Sequence, residues 1–201
     1  MSEYLVKLVT ALKRRRGPLP LARSVPTSRG LYMVWLNPVG WREVRHGGIR
    51  LPPGAEGALY VGVGLGQRGL RGRFSQEWRP RNSGRSSPRR TLGALLLKRL
   101  DLLPRPRRDR NPKRGSDYYV FCEEGEARLT DWLETHARFA AVTEDEIRSV
   151  TDLDLITIET ELIRHVRSPL NLAQAEGRPL RRALEDLRKE MRAIAAQAPP
   201  C

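Results

Sequence analysis

Two short segments with strand-like composition each combine a tyrosine with a glycine. They read Gly-Leu-Tyr-Met-Val-Trp at residues 30–35 and Ala-Leu-Tyr-Val-Gly-Val at residues 58–63. A tyrosine on a strand can present its hydroxyl at the sheet surface, and a nearby glycine lets a backbone or a phosphate approach closely. The pairing therefore predicts that Tyr32 and Tyr60 belong to a phosphodiester site.

The segment after the second of these strands is strongly basic. Residues 66–114 hold 16 basic and 3 acidic residues, whereas residues 115–175 hold 5 basic and 13 acidic ones. Such a local excess of arginine favours a polyanionic partner, because arginine binds phosphate oxygens bidentately and neutralised phosphates release counterions. Nucleic acid is the expected partner, DNA above RNA. A solvated basic loop is the alternative, and an anionic membrane surface is less favoured.

The cysteine content indicates a reducing compartment. Cys122 and Cys201 are the only cysteines, too few for a disulfide framework or a cysteine-rich zinc site. The N-terminus has no apolar run suited to a signal peptide, and no run of about 18 apolar residues exists to span a membrane. We therefore expect a cytoplasmic protein with no membrane partner, either a monomer or a homodimer.

Apolar spacing predicts helices separated by loops rich in glycine, proline and arginine. The predicted helices cover residues 3–16, 70–78, a segment starting at Ser86 or Ser87, 129–139, 152–167 and 180–196. A third strand is expected at 118–122. Residues 37–57 are expected to form a long loop, with a hairpin at Trp41–Arg45, and 101–116 a further loop.

The helix that starts near Ser86 carries two arginines in its first turn. The positive end of the helix dipole makes Arg89 and Arg90 unfavourable there unless an anion lies close. A bound phosphate would offset this cost, although both side chains could instead reach into water. The residues predicted to bind nucleic acid are Arg68, Arg71, Arg85, Arg89 and Arg90.

One carboxylate stands at the edge of an apolar helix face. At 100° per residue, Glu159 shares its side of the helix with Leu155 and Leu162, whereas Glu161 lies near the opposite side. An unpaired carboxylate at the rim of a core is costly, so Glu159 needs a metal ion, an arginine or a strong hydrogen bond. A structural salt bridge is the alternative.

The order of these elements resembles the GIY-YIG nuclease superfamily, with its two tyrosine strands, arginine helix, glutamate helix and late proline and asparagine. Residues 30–32 and 60–62 are similar to the two strands, and 70–74 to the arginine helix, which points to Arg73. Glu159 opens a segment similar to the glutamate helix, and Pro-Leu-Asn at 169–171 supplies Asn171. The resemblance covers roughly residues 29–173.

The resemblance implies an α/β (α+β) fold with a small central antiparallel three-stranded sheet flanked by helices. Residues 29–173 would form the nuclease domain. Residues 1–28 would add an N-terminal amphipathic helix with a proline-rich lead-in, and 174–201 a C-terminal amphipathic helix packed on the domain.

The resemblance also implies metal-dependent phosphodiester hydrolysis. Glu159 would bind one Mg²⁺ or Mn²⁺ that stabilises the leaving oxygen, and Arg73 would neutralise the phosphate oxygens. A tyrosine, with Tyr32 preferred over Tyr60, would help to deprotonate water, which requires a pKa lowered from about 10. Asn171 would orient the site.

Two alternatives compete with hydrolysis. Where the family commonly has a histidine or tyrosine, four residues after the arginine, this chain has Glu77, which favours a nucleic-acid-binding protein that keeps the nuclease fold without cleaving. The gap between the strands is also longer than usual, and about three extra residues precede Arg73. Separately, glycines at 64, 66 and 69 satisfy a dinucleotide-binding fingerprint, but no acidic residue follows about 20 positions on, so no nicotinamide cofactor is expected.

Overall fold

An antiparallel sheet with helices on both faces carries the two tyrosine segments. The computed structural model describes residues 2–78, 83–107, 118–173 and 178–198. Within them the main sheet has four strands in the order β1-β8-β2-β5. The strands are β1 (Gly17–Pro18), β2 (Gly30–Leu36), β3 (Arg45–His46), β4 (Ile49–Arg50), β5 (Ala58–Gly64), β6 (Pro104–Pro106), β7 (Tyr119–Phe121) and β8 (Ala137–Thr143). The helices are α1 (Glu3–Arg14), α2 (Pro38–Glu43), α3 (Gly69–Glu77), α4 (Ser87–Leu95), α5 (Glu123–His136), α6 (Glu144–Arg148), α7 (Leu155–Val166) and α8 (Arg178–Gln197).

Strand β2 lies between two partners and is buried on both faces. Its side chains alternate, since successive residues of a strand point to opposite faces. Tyr32 and Val34 join the core cluster that includes α3, α4, α5 and α8 residues. Leu31 and Met33 join the second cluster, which is built with α1 and α7. The sheet therefore separates two cores, and Tyr32 faces the one that contains α3.

The third strand of the main sheet is β8, not the segment at 118–122. The prediction of a three-stranded sheet containing that segment was wrong, because β7 pairs with β6 in a separate two-stranded ladder. Strand β8 pairs with both β1 and β2. Its alanine-rich sequence follows α5 directly, and alanine favours helix. Pairing on both edges outweighs that local preference.

The segment between the two tyrosine strands is more ordered than a loop. It contains α2, whose N-cap Asn37 accepts a hydrogen bond from Gly40 N at 2.8 Å. A short β3–β4 hairpin follows, a few residues later than predicted. The predicted loop at 101–116 lies outside the described residues from residue 108 onwards, and its described part contains the short strand β6.

The predicted helices are present, and most of their ends shift by only a few residues. The acidic helix predicted at 129–139 is α5, which begins six residues earlier, at Glu123, and ends at His136, immediately before β8. The last helix, α8, packs on α4, β6 and β7. Among the described residues no helix is both long and apolar enough to cross a bilayer.

Candidate active site

The glycine of the second strand makes room for the tyrosine of the first. Gly62 lies directly opposite Tyr32 in the β2–β5 register. A Cβ atom at Gly62 would lie 2.4 Å from Tyr32 Cζ, closer than real contacts allow. The glycine therefore admits the tyrosine ring, which corrects the expectation that it admits a phosphate. Tyr60 is diagonal to Tyr32 on the same face, with ring centroids 6.1 Å apart.

Helix α3 closes over the two tyrosines and brings an ion pair to them. Arg73 and Glu77 are four residues apart and so share one side of the helix. Arg73 Nη2 lies 2.8 Å from Glu77 Oε1, and Tyr60 Oη donates to the same oxygen at 3.1 Å. The hydroxyl of Tyr32 donates to Glu77 Oε2. Glu77 is thus the residue on which the other three converge.

In the sequence, Glu77 stands out only as a departure from the family pattern. Its spacing of four residues from Arg73 on a helix was the one feature that could have indicated an ion pair between them. Nothing local indicated that both tyrosine hydroxyls would donate to its carboxylate, since that contact depends on how α3 packs on the sheet. Trp78, the residue that follows Glu77, is 1% exposed. Its Nε1 lies 3.4 Å from Tyr32 Oη, so it belongs to the wall behind the site.

The electrostatics of this cluster favour neutral tyrosines. Burial, together with the Glu77 charge, raises the pKa of Tyr32 well above its ordinary value and also raises that of Tyr60. The sequence-based expectation of a lowered tyrosine pKa is therefore not met in the free protein. Burial also raises the pKa of Glu77, against the opposing effects of Arg73 and the two hydroxyls. Burial alone would lower the pKa of Arg73, but Glu77 and the tyrosines raise it, so the guanidinium stays charged.

Glu159 lies beside this cluster on α7, half-buried. Burial and the nearby Glu77 charge raise its pKa to about 7, and Arg73 acts in the opposite direction. No described residue donates a hydrogen bond to its carboxylate, so the structural salt bridge considered for it is not formed. The helix spacing correctly placed Glu159 at the rim, whereas Glu161 accepts a hydrogen bond from the Tyr4 hydroxyl elsewhere.

The donor set fits a magnesium or manganese ion bound mainly through its ligand waters. Magnesium commonly uses one or two carboxylates together with waters and substrate phosphates. Glu159 supplies one carboxylate that has no hydrogen-bond donor among the described residues. The described residues contain no group of three or more His, Cys, Asp or Glu side chains that could hold a metal ion by themselves. This arrangement suits a metal ion whose coordination shell would be completed by waters and a substrate phosphate.

Asn171 fixes the edge strand next to Tyr60. Its Oδ1 accepts from Val61 N at 2.9 Å, and its Nδ2 donates to Val61 O at 2.8 Å. Ser168 Oγ also donates to Asn171 Oδ1, at 2.6 Å. The amide therefore bonds to a backbone residue of β5 much as a neighbouring strand would. Its geometry suits the predicted orienting role.

Arg89 is a core residue, which corrects its assignment to a nucleic-acid surface. Its side chain is 0% exposed and lies 2.8 Å from Glu126 Oε2, itself 3% exposed. It also donates to Thr130 Oγ1 at 3.1 Å and to the Trp78 carbonyl at 3.2 Å. The start of α4 is capped by Ser86 Oγ, which accepts from Arg89 N. The protein thus supplies the acceptors that a phosphate was expected to provide.

Arg90 and Arg71 are also committed to the protein. Arg90 is 5% exposed and donates to the carbonyls of Ser83 and Gly84 at 3.0 and 2.9 Å. Burial lowers the pKa of Arg90 to about 10. Arg71 donates to the backbone of the segment before β2, at Val25 O and Arg23 O. Neither is assigned to a nucleic-acid interface.

Two of the five predicted arginines remain exposed, Arg68 and Arg85. Arg68 lines an open groove of about 610 Å³ that runs along α3 and also includes Gln67, Arg73 and Gln76. The Nε of Arg73 is buried and has no hydrogen-bond partner among the described residues. The groove therefore reaches the partly exposed guanidinium that is paired with Glu77.

The dinucleotide fingerprint has the wrong surroundings. A dinucleotide site requires a second strand parallel to the first. Every described pairing in the main sheet is antiparallel. The glycines instead bring α3 close to β5, since a Cβ at Gly64 would lie 2.5 Å from Leu70 N.

The main sheet thus carries two tyrosines, with an arginine helix over them and a glutamate helix beside them. Comparison with protein families finds a match to the GIY-YIG catalytic domain over residues 30–190. The chain belongs to this family, which confirms the resemblance seen in the sequence. Neither the curated proteins nor the solved structures that were searched contain a match to the chain.

Proposed function

We propose that the protein is a divalent-metal-dependent endonuclease that hydrolyses phosphodiester bonds of nucleic acid, DNA in the first place, in the cytoplasm. The observation that carries the proposal is the convergence of Tyr32, Tyr60 and Arg73 on Glu77, with Glu159 close enough to interact electrostatically. These residues come from β2, β5, α3 and α7, so the fold assembles them from four separate elements.

Charge stabilisation in this site falls to Glu159 and Arg73. Glu159 would hold the Mg²⁺ or Mn²⁺, which supplies Lewis-acid stabilisation of the leaving oxygen. Arg73 stands at the mouth, 39% exposed, so part of its guanidinium is accessible to phosphate oxygens. A guanidinium neutralises the charge that develops on these oxygens in the transition state.

The proton path runs through a tyrosine to a carboxylate. Tyr60 is 7% exposed and Tyr32 is 0% exposed, so Tyr60 is the hydroxyl nearer to solvent. The attacking water gives a proton to Tyr60 Oη while the Tyr60 proton moves to Glu77 Oε1, 3.1 Å away. The tyrosine then needs no lowered pKa, because it passes a proton on and never stands as a free phenolate. This replaces Tyr32 as the preferred catalytic tyrosine.

The second candidate is a protein that keeps this fold and binds nucleic acid without cleaving it. One observation favours it: Arg73, the expected phosphate ligand, is already paired with Glu77 in the free protein. Substrate must share or displace that pair for hydrolysis to proceed.

A cleavage assay separates the two candidates. Purified protein is incubated with supercoiled plasmid and Mg²⁺ or Mn²⁺, beside Glu159→Ala, Arg73→Ala and the control Lys7→Ala, an exposed residue of α1. Metal-dependent nicking that both site variants abolish and the control keeps supports the endonuclease. Salt-sensitive binding without nicking, unchanged in Glu159→Ala, would instead establish the non-cleaving protein. Matched RNA and DNA duplexes then decide the substrate.

A further inference from the structure

A second basic groove lies apart from the candidate active site. It has a volume of about 690 Å³ and is formed by the end of α2, the β3–β4 hairpin and the turn after α4. Its lining includes five cations and one carboxylate, namely Arg42, Arg45, Arg50, Lys98, Arg99 and Glu43. All five basic residues are exposed.

Four of the five positive charges of this groove form no ion pair with a described residue. Arg45 and Arg50 lie directly opposite each other in the hairpin, and like charges in that position are destabilising. Neither of them, nor Arg42 or Lys98, forms an ion pair with a described residue. Glu43 is already engaged, since it accepts from Arg99 Nη2 at 3.1 Å and from the Trp132 indole at 2.7 Å.

We propose that this groove holds backbone phosphates of a nucleic-acid duplex whose cleaved bond lies in the site around Glu77. The inference rests on the proposed function for the identity of the ligand. A concave surface with one sign of charge concentrates anions, and arginine is well suited to phosphate oxygens. Among the described residues, no phenylalanine, tyrosine or tryptophan lines the groove, so these offer no platform for stacking bases. Contact is therefore with the backbone.

The separation of groove and site along the fold is short enough for one duplex to cover both. Tyr32 lies four residues before the end of β2, after which α2 and the hairpin begin, and those four residues extend about 13 Å along the strand. A second path agrees, because Ser86 Oγ donates to the Glu77 carbonyl and α4 then extends about 13 Å towards Lys98. Each path corresponds to roughly four base pairs at about 3.4 Å per base pair. A duplex is stiff over that length and can span both without bending.

Binding of DNA without metal tests the inference. Fluorescence anisotropy in EDTA compares a duplex of about 20 base pairs with a single strand of matched length over a range of salt concentrations. The variants are Arg45→Ala/Arg50→Ala and, from a different element, Lys98→Ala. The control is Lys7→Ala/Arg14→Ala on α1, which removes equal charge from the opposite face of the sheet.

The Arg45→Ala/Arg50→Ala variant is expected to lose about tenfold or more in affinity for the duplex, and its salt slope should fall by about 1.8 for two lost phosphate contacts. Lys98→Ala should reduce the slope by about half as much, and a local change in the β3–β4 hairpin would not explain that loss. The control should match wild type. Equal slopes for the Arg45→Ala/Arg50→Ala variant and the control would overturn the proposal.

Two further outcomes are equally decisive. The assignment to a duplex would be overturned if the single strand bound as tightly as the duplex and lost as much affinity in the groove variants. Because binding is measured without metal, a wild-type protein that binds in this way but never cleaves contradicts the proposed function and leaves the groove established. If wild type cleaves and the groove variants bind normally, the proposed function is supported and the groove proposal is overturned.

Discussion

Arg73 and Glu77 lie one turn apart on α3, and their side chains meet at 2.8 Å. The arginine side chain is 39% exposed and the glutamate 5%. The ion pair therefore runs from the open mouth of the site to its buried end. The arginine lies at the mouth, where a phosphate would bind, and the glutamate lies at the buried end, where it accepts hydrogen bonds from both tyrosine hydroxyls. In the proposed reaction the pair separates two tasks, charge stabilisation outside and proton acceptance inside.

The proton-accepting task predicts a large effect of Glu77→Gln. Glutamine keeps the shape but cannot take the proton that Tyr60 releases, so single-turnover cleavage should fall by about 10²–10⁴. Binding of duplex DNA in EDTA should change little, since Arg73 keeps its charge. Lys7→Ala, an exposed change on α1, should cleave normally. Cleavage by Glu77→Gln at the wild-type rate would show that the carboxylate only positions the tyrosines.

The contact between Gly62 and Tyr32 predicts that Gly62→Ala disrupts the site. The added methyl group would lie 2.4 Å from the tyrosine ring, so the ring must move away from Glu77. We expect a loss of about 1–3 kcal/mol in the free energy of unfolding, as for other overpacked cores, together with lost cleavage. Gly66→Ala is the control, because nothing lies within 4 Å of its added atom. Similar urea midpoints for the two variants would contradict the proposed tight fit.

The sequence was informative where one residue had to satisfy a local rule. Tyr32 and Tyr60 were found from strand composition, and Glu159 from its place at the edge of an apolar helix face. The four-stranded sheet could not be predicted in the same way, because β8 is alanine-rich and owes its conformation to partners far away in the chain. Residue type also failed for Arg89, since an arginine looks exposed until its buried partner Glu126 is known.

That buried pair predicts a large loss of stability in Arg89→Met. The change leaves the Glu126 carboxylate buried without its cation, which should cost about 3–5 kcal/mol in urea unfolding. Arg89→Met/Glu126→Gln should be less damaged, because glutamine can still accept from Ser83 N, 2.6 Å from Glu126 Oε1. Arg85→Ala is the exposed control and should unfold like wild type. An Arg89→Met protein as stable as that control would contradict the core assignment.

The raised pKa of Glu159 predicts that its charge costs stability when no metal is bound. The folded pKa is about 7 and the ordinary value is 4.5. The folded protein therefore binds the proton more tightly, and the stability that this group contributes is present below pH 4.5 and is lost as the pH rises through about 7. Glu159→Gln should accordingly be more stable than wild type at pH 8 in EDTA, and the difference should shrink towards pH 4.5.

Thermal unfolding across this pH range, with and without Mg²⁺, provides the measurement. Magnesium should stabilise wild type at pH 8 by mass action, because it binds the ionised carboxylate of the folded state, and should leave Glu159→Gln unchanged. Glu161→Gln removes a carboxylate from the same helix that is held by the Tyr4 hydroxyl, and should gain no stability at pH 8. If Glu159→Gln tracks wild type at every pH and magnesium shifts both equally, Glu159 is neither strained by burial nor the metal ligand.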